Sequence, residues 1–464
     1  MNKRYLLFIL LLQGLSVFSQ APVITSWLIN TNGKKASHYV NGNSTAIADA
    51  DSANVQTVRY SANWVYVRTK GLPSYTTGPF LDGNPSLATN QNAIFKISRN
   101  PVQNTGTPVN TTAGNIGIFI NGVALFDYRD GVSWKNSTNS LAGGPLGGTG
   151  DGVWNRDAVV AEKAGFDCSK GHPAMGNYHH HQNPSAFKMD QQVISTICNL
   201  YNADGLYVMD STRHSPLIGF AYDGFPIYGA YGYYNTNGTG GISRMKSKWK
   251  LRNITVRTTN YNGVPVTAGP PVSTTYPLGY FREDYGPDGS ATTPDYLDEH
   301  NGRFCITPEY PAGIYAYFCT VDNNQNSAYP YGVGPTFYGT KTGLKVTSIT
   351  ETVTTYTAPS TASFQLRLYL QGPYMANNVM NSVVGNGNAD TITVQLRSTV
   401  SPYAVLHTTT ALLSTAGIAG LSIPYTFTGS SYYIVVKHRN SLETWSKKPV
   451  TLTALNNTYY FEPY

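Results

Sequence analysis

The chain has 464 residues, enough for about two to four domains, and 12% of them are charged, roughly half the ~25% of an average globular protein. Its 45 Gly, 27 Pro and 35 Tyr suit a turn-rich β protein and exclude coiled coils, long-helix proteins and charged disordered tails. The net charge of +7 comes from Lys and Arg residues that occur mostly singly, so no nucleic-acid partner is expected.

The N-terminus has the pattern of a secretory signal peptide. Lys3 and Arg4 precede an apolar run from 5 to 12, and small or permissive residues precede Gln20. We therefore expect residues 1–19 to be a signal peptide and the mature chain to start at Gln20, secreted or at the cell surface. The apolar run is shorter than the ~20 residues that a membrane span needs, and no other segment is suitable, so no transmembrane segment is expected.

The segment from 20 to 344 is predicted to form a β-rich domain with few short helices. Asn-Gly, Asp-Gly, Pro and Gly-Gly interrupt it about every eight to twelve residues, which is the spacing of short strands. Apolar residues at helical spacing predict a helix over 185–201, ended by Asp204 and Gly205, and a shorter helix over 156–164.

Two stretches of this segment parallel each other, residues 116–126 and residues 218–228. Each has an apolar strand, then Asn121-Gly122 or Asp223-Gly224, then a second apolar strand. These dipeptides accept the positive φ angles of a type I′ turn, so two β-hairpins are predicted. The pattern leaves two alternatives open, a pair of related β units or two unrelated hairpins.

The C-terminal part of the chain differs in composition from the rest. Thr and Ser accumulate between 345 and 362, which predicts a linker. Residues 364–370, 391–397 and 432–438 then alternate or run apolar over strand lengths, which predicts a β-sandwich over 363–464. The expected fold class is therefore mainly β, a β-rich body followed by a β-sandwich domain.

Four cysteines, an even number in a chain expected to be exported, indicate disulfides. Reflection of a predicted hairpin about Ala312 places Cys305 opposite Cys319 and predicts a bridge between them. Cys168 and Cys198 are then the default second pair, although Cys168 also competes as a metal ligand.

Histidines cluster in one part of the chain. Of nine, five lie between positions 172 and 214: His172, His179, His180, His181 and His214. Neutral imidazole is the commonest protein ligand of transition metals. Gly176 and Pro184 favour an extended path, and side chains at i and i+2 share a face of a strand. We therefore expect His179 and His181 to point together and His180 to point the other way.

This cluster predicts a metal site. The loop containing Gly176 can fold His172 back towards His179 and His181, and Cys168, His214 or a carboxylate would complete the site. Such ligands suit a divalent transition metal, zinc or copper, but the spacing matches no zinc finger, metalloprotease or blue-copper pattern. The alternative is an exposed polar strand on which the histidines are incidental.

Several motifs occur together around these histidines. Tyr178-His179-His180-His181 follows the segment 167–173 and precedes 214–229, and segments 297–304 and 307–318 add further pieces. Over most of residues 100–340 the chain resembles the YHYH-domain proteins, a family of exported bacterial proteins. His180 replaces the second Tyr of the family's tetrad, which keeps both of its His but removes a hydroxyl. The resemblance implies no particular reaction, so whether the chain is an enzyme stays open.

The C-terminal segments 364–372 and 431–446 are similar to a β-sandwich module of large exported bacterial surface proteins. This resemblance implies presentation or adhesion. Two functions are therefore open. The first is an exported YHYH-like protein with a His-based metal site, structural or catalytic. The second is a cell-surface adhesion or glycan-binding protein without a metal, whose partner would be a surface glycan or protein.

Overall fold

The computed structural model describes residues 21–461 apart from 44, 82–86, 186–205, 208, 429 and 453–456. The predicted signal peptide and nearly all of the helix predicted over 185–201 lie outside these residues. The expected fold class is confirmed, because the described chain is mainly β. None of its helices is long and apolar enough to cross a membrane.

The first part of the described chain contains one short helix and six strands. They are α1 (Pro22–Thr25), β1 (Lys35–His38), β2 (Ile47–Ser52), β3 (Val55–Tyr60), β4 (Trp64–Thr69), β5 (Ala93–Ser98) and β6 (Val109–Asn110).

The middle part contains sixteen strands, eight of which form the largest sheet. They are β7 (Asn115–Phe119), β8 (Ala124–Phe126), β9 (Arg129–Lys135), β10 (Ser140–Gly143), β11 (Asn155–Asp157), β12 (Gly171–Ala174), β13 (Asn177–His180), β14 (Leu217–Ala221), β15 (Pro226–Tyr228), β16 (Tyr231–Tyr233), β17 (Ile242–Arg244), β18 (Trp249–Leu251), β19 (Tyr285–Pro287), β20 (Gly302–Thr307), β21 (Tyr310–Phe318) and β22 (Thr336–Phe337). Helix α2 (Ala158–Ala161) and a 3-10 turn at Lys163–Gly165 occupy the region predicted as a helix over 156–164. Two further 3-10 turns lie at Gly144–Leu146 and Arg282–Asp284.

The last part is almost entirely strand, with one 3-10 turn at Tyr425–Phe427. Its strands are β23 (Leu344–Val346), β24 (Thr354–Thr355), β25 (Thr361–Arg367), β26 (Tyr374–Ala376), β27 (Val379–Met380), β28 (Asn388–Arg397), β29 (Val405–Ser414), β30 (Ile418–Pro424), β31 (Ser431–His438), β32 (Ser441–Trp445), β33 (Val450–Thr451) and β34 (Asn457–Tyr460).

An eight-stranded sheet forms the centre of the body, in the order β12-β13-β8-β7-β14-β15-β21-β20. All five residues of β14, Leu-Ile-Gly-Phe-Ala, are buried. A strand that is apolar throughout, rather than alternating, is typical of a sheet covered on both faces. The core around this strand includes four residues whose surfaces are 0% exposed, Trp27, Ile118, Phe220 and Ile227.

The two predicted hairpins are confirmed, and they lie side by side in this sheet. β7 pairs with β8 and β14 pairs with β15. The turns are not of type I′, because Gly122 and Gly224 have positive φ but Asn121 and Asp223 do not. β7 and β14 then pair with each other, with Phe119 opposite Gly219. Outside them, β13 runs parallel to β8 and β21 runs parallel to β15. From its centre to either edge, the sheet therefore repeats one arrangement of hairpins.

A second sheet of the body has five strands in the order β23-β5-β4-β3-β24. Strand β5 alternates buried and half-buried side chains, the pattern of a strand with one face on a core. Its outer strands come from the region of the predicted linker, since β23 pairs with β5 and β24 pairs with β3. The segment predicted as a linker over 345–362 thus contributes strand residues to this sheet.

Two further sheets form the C-terminal part, one in the order β30-β25-β34 and one in the order β29-β28-β31-β32. Strand β25 strictly alternates exposed and buried residues. Its Phe364 and Leu366 share a core with Val394 of β28 and Ile434 of β31. Two sheets packed on a common core form a β-sandwich.

The bridge predicted between Cys305 and Cys319 is wrong, because both cysteines are free and buried. The hairpin of β20 and β21 turns between Thr307 and Tyr310, so Cys305 lies opposite Ile314. Reflection about Ala312 placed the turn too late in the chain, and Cys319 follows the last residue of β21. Cys168 is disulfide-bonded. Its expected partner, Cys198, lies outside the described residues.

Candidate metal centre

The hairpin of β12 and β13 brings the first two candidate ligands together. The chain reverses at Met175 and Gly176, which have φ angles of 48° and 81°, and this places His172 directly opposite His179. The fold-back expected from the Gly176 loop is therefore what the structure shows. His181 follows β13, two residues after His179, and its ring lies on the same side.

His180 points the other way, as expected from the alternation of side chains along a strand. Its Nε2 lies 2.8 Å from the Tyr75 hydroxyl, and its ring packs edge-on against Phe119. The His180 side chain is fully buried, and burial lowers its pKa to about 3. This residue therefore belongs to the packing beneath the sheet and not to the metal centre.

Three imidazole nitrogens converge on one point. The Nε2 atoms of His179 and His181 are 3.0 Å apart, and those of His172 and His181 are 3.3 Å apart. All three lie within 4.8 Å of one another and all three rings are buried, so the triad can hold a metal ion. A tetrahedral ion with bonds of about 2.0–2.1 Å keeps its ligand atoms about 3.3 Å apart.

Main-chain carbonyls fix how two of these rings are protonated. Nδ1 of His179 lies 2.8 Å from the Asn177 carbonyl oxygen, and Nδ1 of His181 lies 2.6 Å from the Asp127 carbonyl oxygen. A carbonyl only accepts, so each neutral ring carries its proton on Nδ1 and leaves Nε2 as a bare acceptor. Two such acceptors 3.0 Å apart repel each other unless a cation or a proton lies between them, and this orientation of the rings is typical of metal ligands.

Glu162 supplies a carboxylate at the same point. This residue ends helix α2, and its Oε2 lies 3.3 Å from Nε2 of both His172 and His181. Although burial opposes it, hydrogen bonding to the two histidines lowers the pKa of Glu162. For His181, burial acts to lower the pKa. The hydrogen bond to Glu162 and the charge of Glu162 outweigh burial, so the pKa of His181 is raised. The centre thus contains one negative charge among three imidazoles.

Helix α2 is held in place by a buried carboxylate of its own. Asp157 is the N-cap, and its Oδ1 accepts from the backbone N–H of Val159 at 2.8 Å. Its other oxygen accepts from the Tyr331 hydroxyl at 2.7 Å. An N-cap of this kind stabilises a helix start by roughly 1 kcal/mol. These bonds keep Glu162 directed at the imidazoles.

Aromatic rings enclose the cluster. Phe126 stacks on the His179 ring at 3.8 Å between centroids, and Phe166 packs edge-on against His172 at 4.8 Å. Burial, followed by the charges of the other two imidazoles, lowers the pKa of His179 well below 6.5. This ring is therefore neutral at physiological pH, which is the form that binds a metal.

Two of the candidate ligands are not brought to this point. Cys168 is disulfide-bonded, so its sulfur is not available as a thiolate, and it packs with Tyr75 and Tyr178 on the other side of β13. His214 packs against Tyr228 and Phe318, and its Nδ1 lies 2.7 Å from the Ser215 carbonyl oxygen. Of the alternatives for the fourth ligand, only the carboxylate is present.

Glu162 was not identified from the sequence as that carboxylate. It lies ten residues before His172, on a different element, and nothing in its local sequence marks it. The helix predicted over 156–164 contains Glu162, but its position relative to the histidines follows only from the structure.

The comparisons with known proteins give one match. Neither a curated protein nor a solved structure matches the chain, so the resemblance of the C-terminal segments to a module of bacterial surface proteins is not supported by a relative. The family model described as YHYH protein matches residues 94–330, which include the histidine triad and both halves of the eight-stranded sheet. The chain therefore belongs to the YHYH protein family.

Proposed function

We propose that this protein, after export, binds one divalent transition metal through His172, His179 and His181, with Glu162 as the fourth ligand. The observation that carries the proposal is the pair of Nε2 acceptors, 3.0 Å apart, whose Nδ1 atoms are committed to main-chain carbonyls. A buried pair of acceptors costs free energy unless something positive lies between them. A metal ion satisfies both, and Glu162 supplies a compensating charge.

Zinc fits this proposal better than copper. Four of the six separations among the candidate ligand atoms are 3.0 to 3.3 Å, close to the edge of about 3.3 Å of a tetrahedral site, and the three imidazole nitrogens all lie within 4.8 Å of one another. Copper(II) prefers tetragonal geometry, in which neighbouring ligand atoms would be closer. Three neutral imidazoles and one carboxylate leave a net charge of +1 on a bound divalent ion, which a buried site tolerates better than +2.

Four protein ligands make a closed centre, and closed centres stabilise folds. The ligands come from three places in the chain, namely β12, the end of β13 and the end of α2. A metal that binds all three joins the edge of the eight-stranded sheet to the helix beside it. We therefore propose that the metal holds this edge together, and we assign no reaction to it.

The test is the metal content of the purified protein at a pH above 7, where the imidazoles are neutral. We expect about one zinc ion per chain in the wild type and less than a tenth of that in His179→Ala/His181→Ala. His180→Gln is the matched control. His180 lies between His179 and His181 in sequence, but its ring points to the opposite side of the strand, so this variant should keep its metal.

Circular dichroism shows whether each variant is folded. A wild type with far less than one metal per chain, also after incubation with zinc, would contradict the proposal. So would an equal loss of metal from folded His180→Gln, because that residue does not contact the centre.

A further inference from the structure

A large open cavity of about 1150 Å³ lies on the other side of helix α2 from the metal centre. Val159, Val160 and Lys163 of the helical region line it, whereas Glu162 faces the imidazoles. Pockets for drug-sized ligands typically have volumes of about 300–1,000 Å³, and this cavity is slightly larger. The cavity therefore has room for an oligomeric ligand.

Basic side chains dominate its charge. Six of them line the cavity: Lys163, Lys170, Arg244, Lys246, Lys250 and Lys448. The acidic residues of the lining are Asp288 and Asp322. The excess of positive charge favours an anionic ligand.

The distribution of these charges favours a ligand of low charge density. Lys250 pairs with Asp288 at 2.6 Å, and Lys246 pairs with Asp295 at 2.7 Å. Phosphate sites are typically built from Arg forks and backbone N–H groups without neighbouring carboxylates. Alternating Lys and Asp instead suits a ligand with isolated carboxylates among many hydroxyls, since Asp accepts from hydroxyls and Lys binds the carboxylates.

Neutral polar groups in the wall also need partners. Gln182 is 2% exposed, and its amide nitrogen has no hydrogen-bond partner in the described part of the chain. The same holds for the side-chain oxygens of Asn326 and Ser327, which line the cavity as well. Buried polar atoms are almost always hydrogen-bonded, so three unpartnered ones around one cavity point to a ligand with donors and acceptors of its own.

Aromatic rings complete the lining. Trp249 and Tyr296 are half-buried at the cavity, and Tyr285 stacks on Tyr329 with a centroid distance of 4.0 Å. Trp and Tyr side chains offer a flat apolar face together with a polar edge. Such faces accept the apolar C–H side of a sugar ring.

We propose that this cavity binds an acidic oligosaccharide, a chain of hexoses in which some carry carboxylates. The basic side chains bind the carboxylates, the unpartnered groups at Gln182, Asn326 and Ser327 bind hydroxyls, and the aromatic rings pack on the sugars. The inference does not depend on the metal, because no metal ligand lines the cavity. It therefore goes beyond the function proposed above and can fail without affecting it.

The probe is trigalacturonate, with maltotriose as the neutral sugar of the same length, and binding to the full chain is measured by titration calorimetry. We expect trigalacturonate to bind at least tenfold more tightly than maltotriose, and raised salt to weaken it. The double variant Lys250→Gln/Lys448→Gln should bind about fivefold to tenfold more weakly than the wild type. Both lysines are exposed, so the fold should be unaffected.

The matched control is Lys248→Gln/Lys447→Gln, which removes the same total charge. Lys248 lies two residues before Lys250, and Lys447 lies immediately before Lys448. Neither Lys248 nor Lys447 lines the cavity, and affinity should stay within about twofold of the wild type. Equal losses in both double variants would show non-specific attraction and overturn the proposal. Absence of binding to trigalacturonate at millimolar concentration, or tighter binding of a trinucleotide, would overturn it as well.

Discussion

The two halves of the eight-stranded sheet share one construction, and one of them carries the candidate metal centre. In each half an inner hairpin, β7–β8 or β14–β15, pairs in parallel with the second strand of an outer hairpin, β12–β13 or β20–β21. Of the two alternatives that the sequence left open, this arrangement favours two related β units.

The loops that enter the outer hairpins match in detail. Asp167 accepts from the backbone N–H of residues 169 and 171, and Asp298 accepts from those of residues 300 and 302. Tyr178 donates to Asp167, and Tyr315 donates to Asp298. The glycine four residues after each Asp lies so close to that tyrosine that an added Cβ would be 2.4 Å from the hydroxyl oxygen.

The halves differ at the positions of the three candidate metal ligands. Alignment on the loops and on the two tyrosines places Arg303 at the position of His172, and Ala316 and Phe318 at those of His179 and His181. Arg303 donates to the carbonyls of Tyr233, Tyr234 and Pro294 and lies over the Phe318 ring. A hairpin of this kind therefore forms without histidines at these positions, and three side chains distinguish the half with the candidate site from the other half.

The largest effect should follow from giving the first half the cation of the second. In His172→Arg the guanidinium enters the metal position and pairs with Glu162, so we expect metal content to fall at least tenfold while the fold is kept. Elemental analysis with circular dichroism measures both. Arg303→His, the reverse change, should gain no metal, because Ala316 and Phe318 offer no ligand. A metal-loaded His172→Arg protein would break the comparison.

A smaller effect concerns the inner turns, where Asp223 takes the place of Asn121. Burial raises the pKa of Asp223 to about 6, although hydrogen bonds from Tyr317 and Gly339 oppose the shift. The folded state therefore binds the Asp223 proton more tightly than the unfolded state. The resulting contribution to the free energy of unfolding is fully present below about pH 4 and is lost as the pH rises through about 6. Two pKa units correspond to about 3 kcal/mol.

Asp223→Asn does not titrate at this position and should lack that dependence. We expect the variant to gain up to about 3 kcal/mol relative to the wild type between pH 4 and pH 6.5, measured by urea unfolding at each pH. A difference that stays constant across this range would show that Asp223 titrates normally.

The smallest effect tests the equivalence of the entry loops. Tyr178→Phe and Tyr315→Phe each remove the hydroxyl that donates to the Asp of the loop, buried Asp167 or half-buried Asp298, which should cost about 2 kcal/mol. Because the two loops share the bonds to the tyrosine and to two backbone N–H groups, the two losses in the free energy of unfolding should agree within about 1 kcal/mol. A large loss in one half alone would show that the halves share geometry but not energetics.

Much of the centre was predictable from local rules. The two-residue period of a strand placed His179 and His181 on one face, and a glycine loop returned His172 to them. The repeat of inner hairpins was visible because both turns have the same length. The repeat of outer hairpins was not visible, because Tyr178 follows Gly171 by seven positions whereas Tyr315 follows Gly302 by thirteen.

What failed depended on register and on distant contacts. The bridge between Cys305 and Cys319 required the position of one turn, and the turn lies between Thr307 and Tyr310 and not around Ala312. Glu162 reaches His172 and His181 from the end of α2, and the N-cap of this helix is held by a bond between Asp157 and Tyr331, which are far apart in sequence. Neither fact follows from periodicity.

The acceptors that orient His179 and His181 are backbone oxygens, of Asn177 and of Asp127. Point substitution at either position leaves such an oxygen where it is. The orientation of the two rings therefore tolerates most substitutions of the surrounding side chains. Insertion or deletion of a single residue between 124 and 127, or between 177 and 181, would change the register of the strands and move these oxygens away from the two rings.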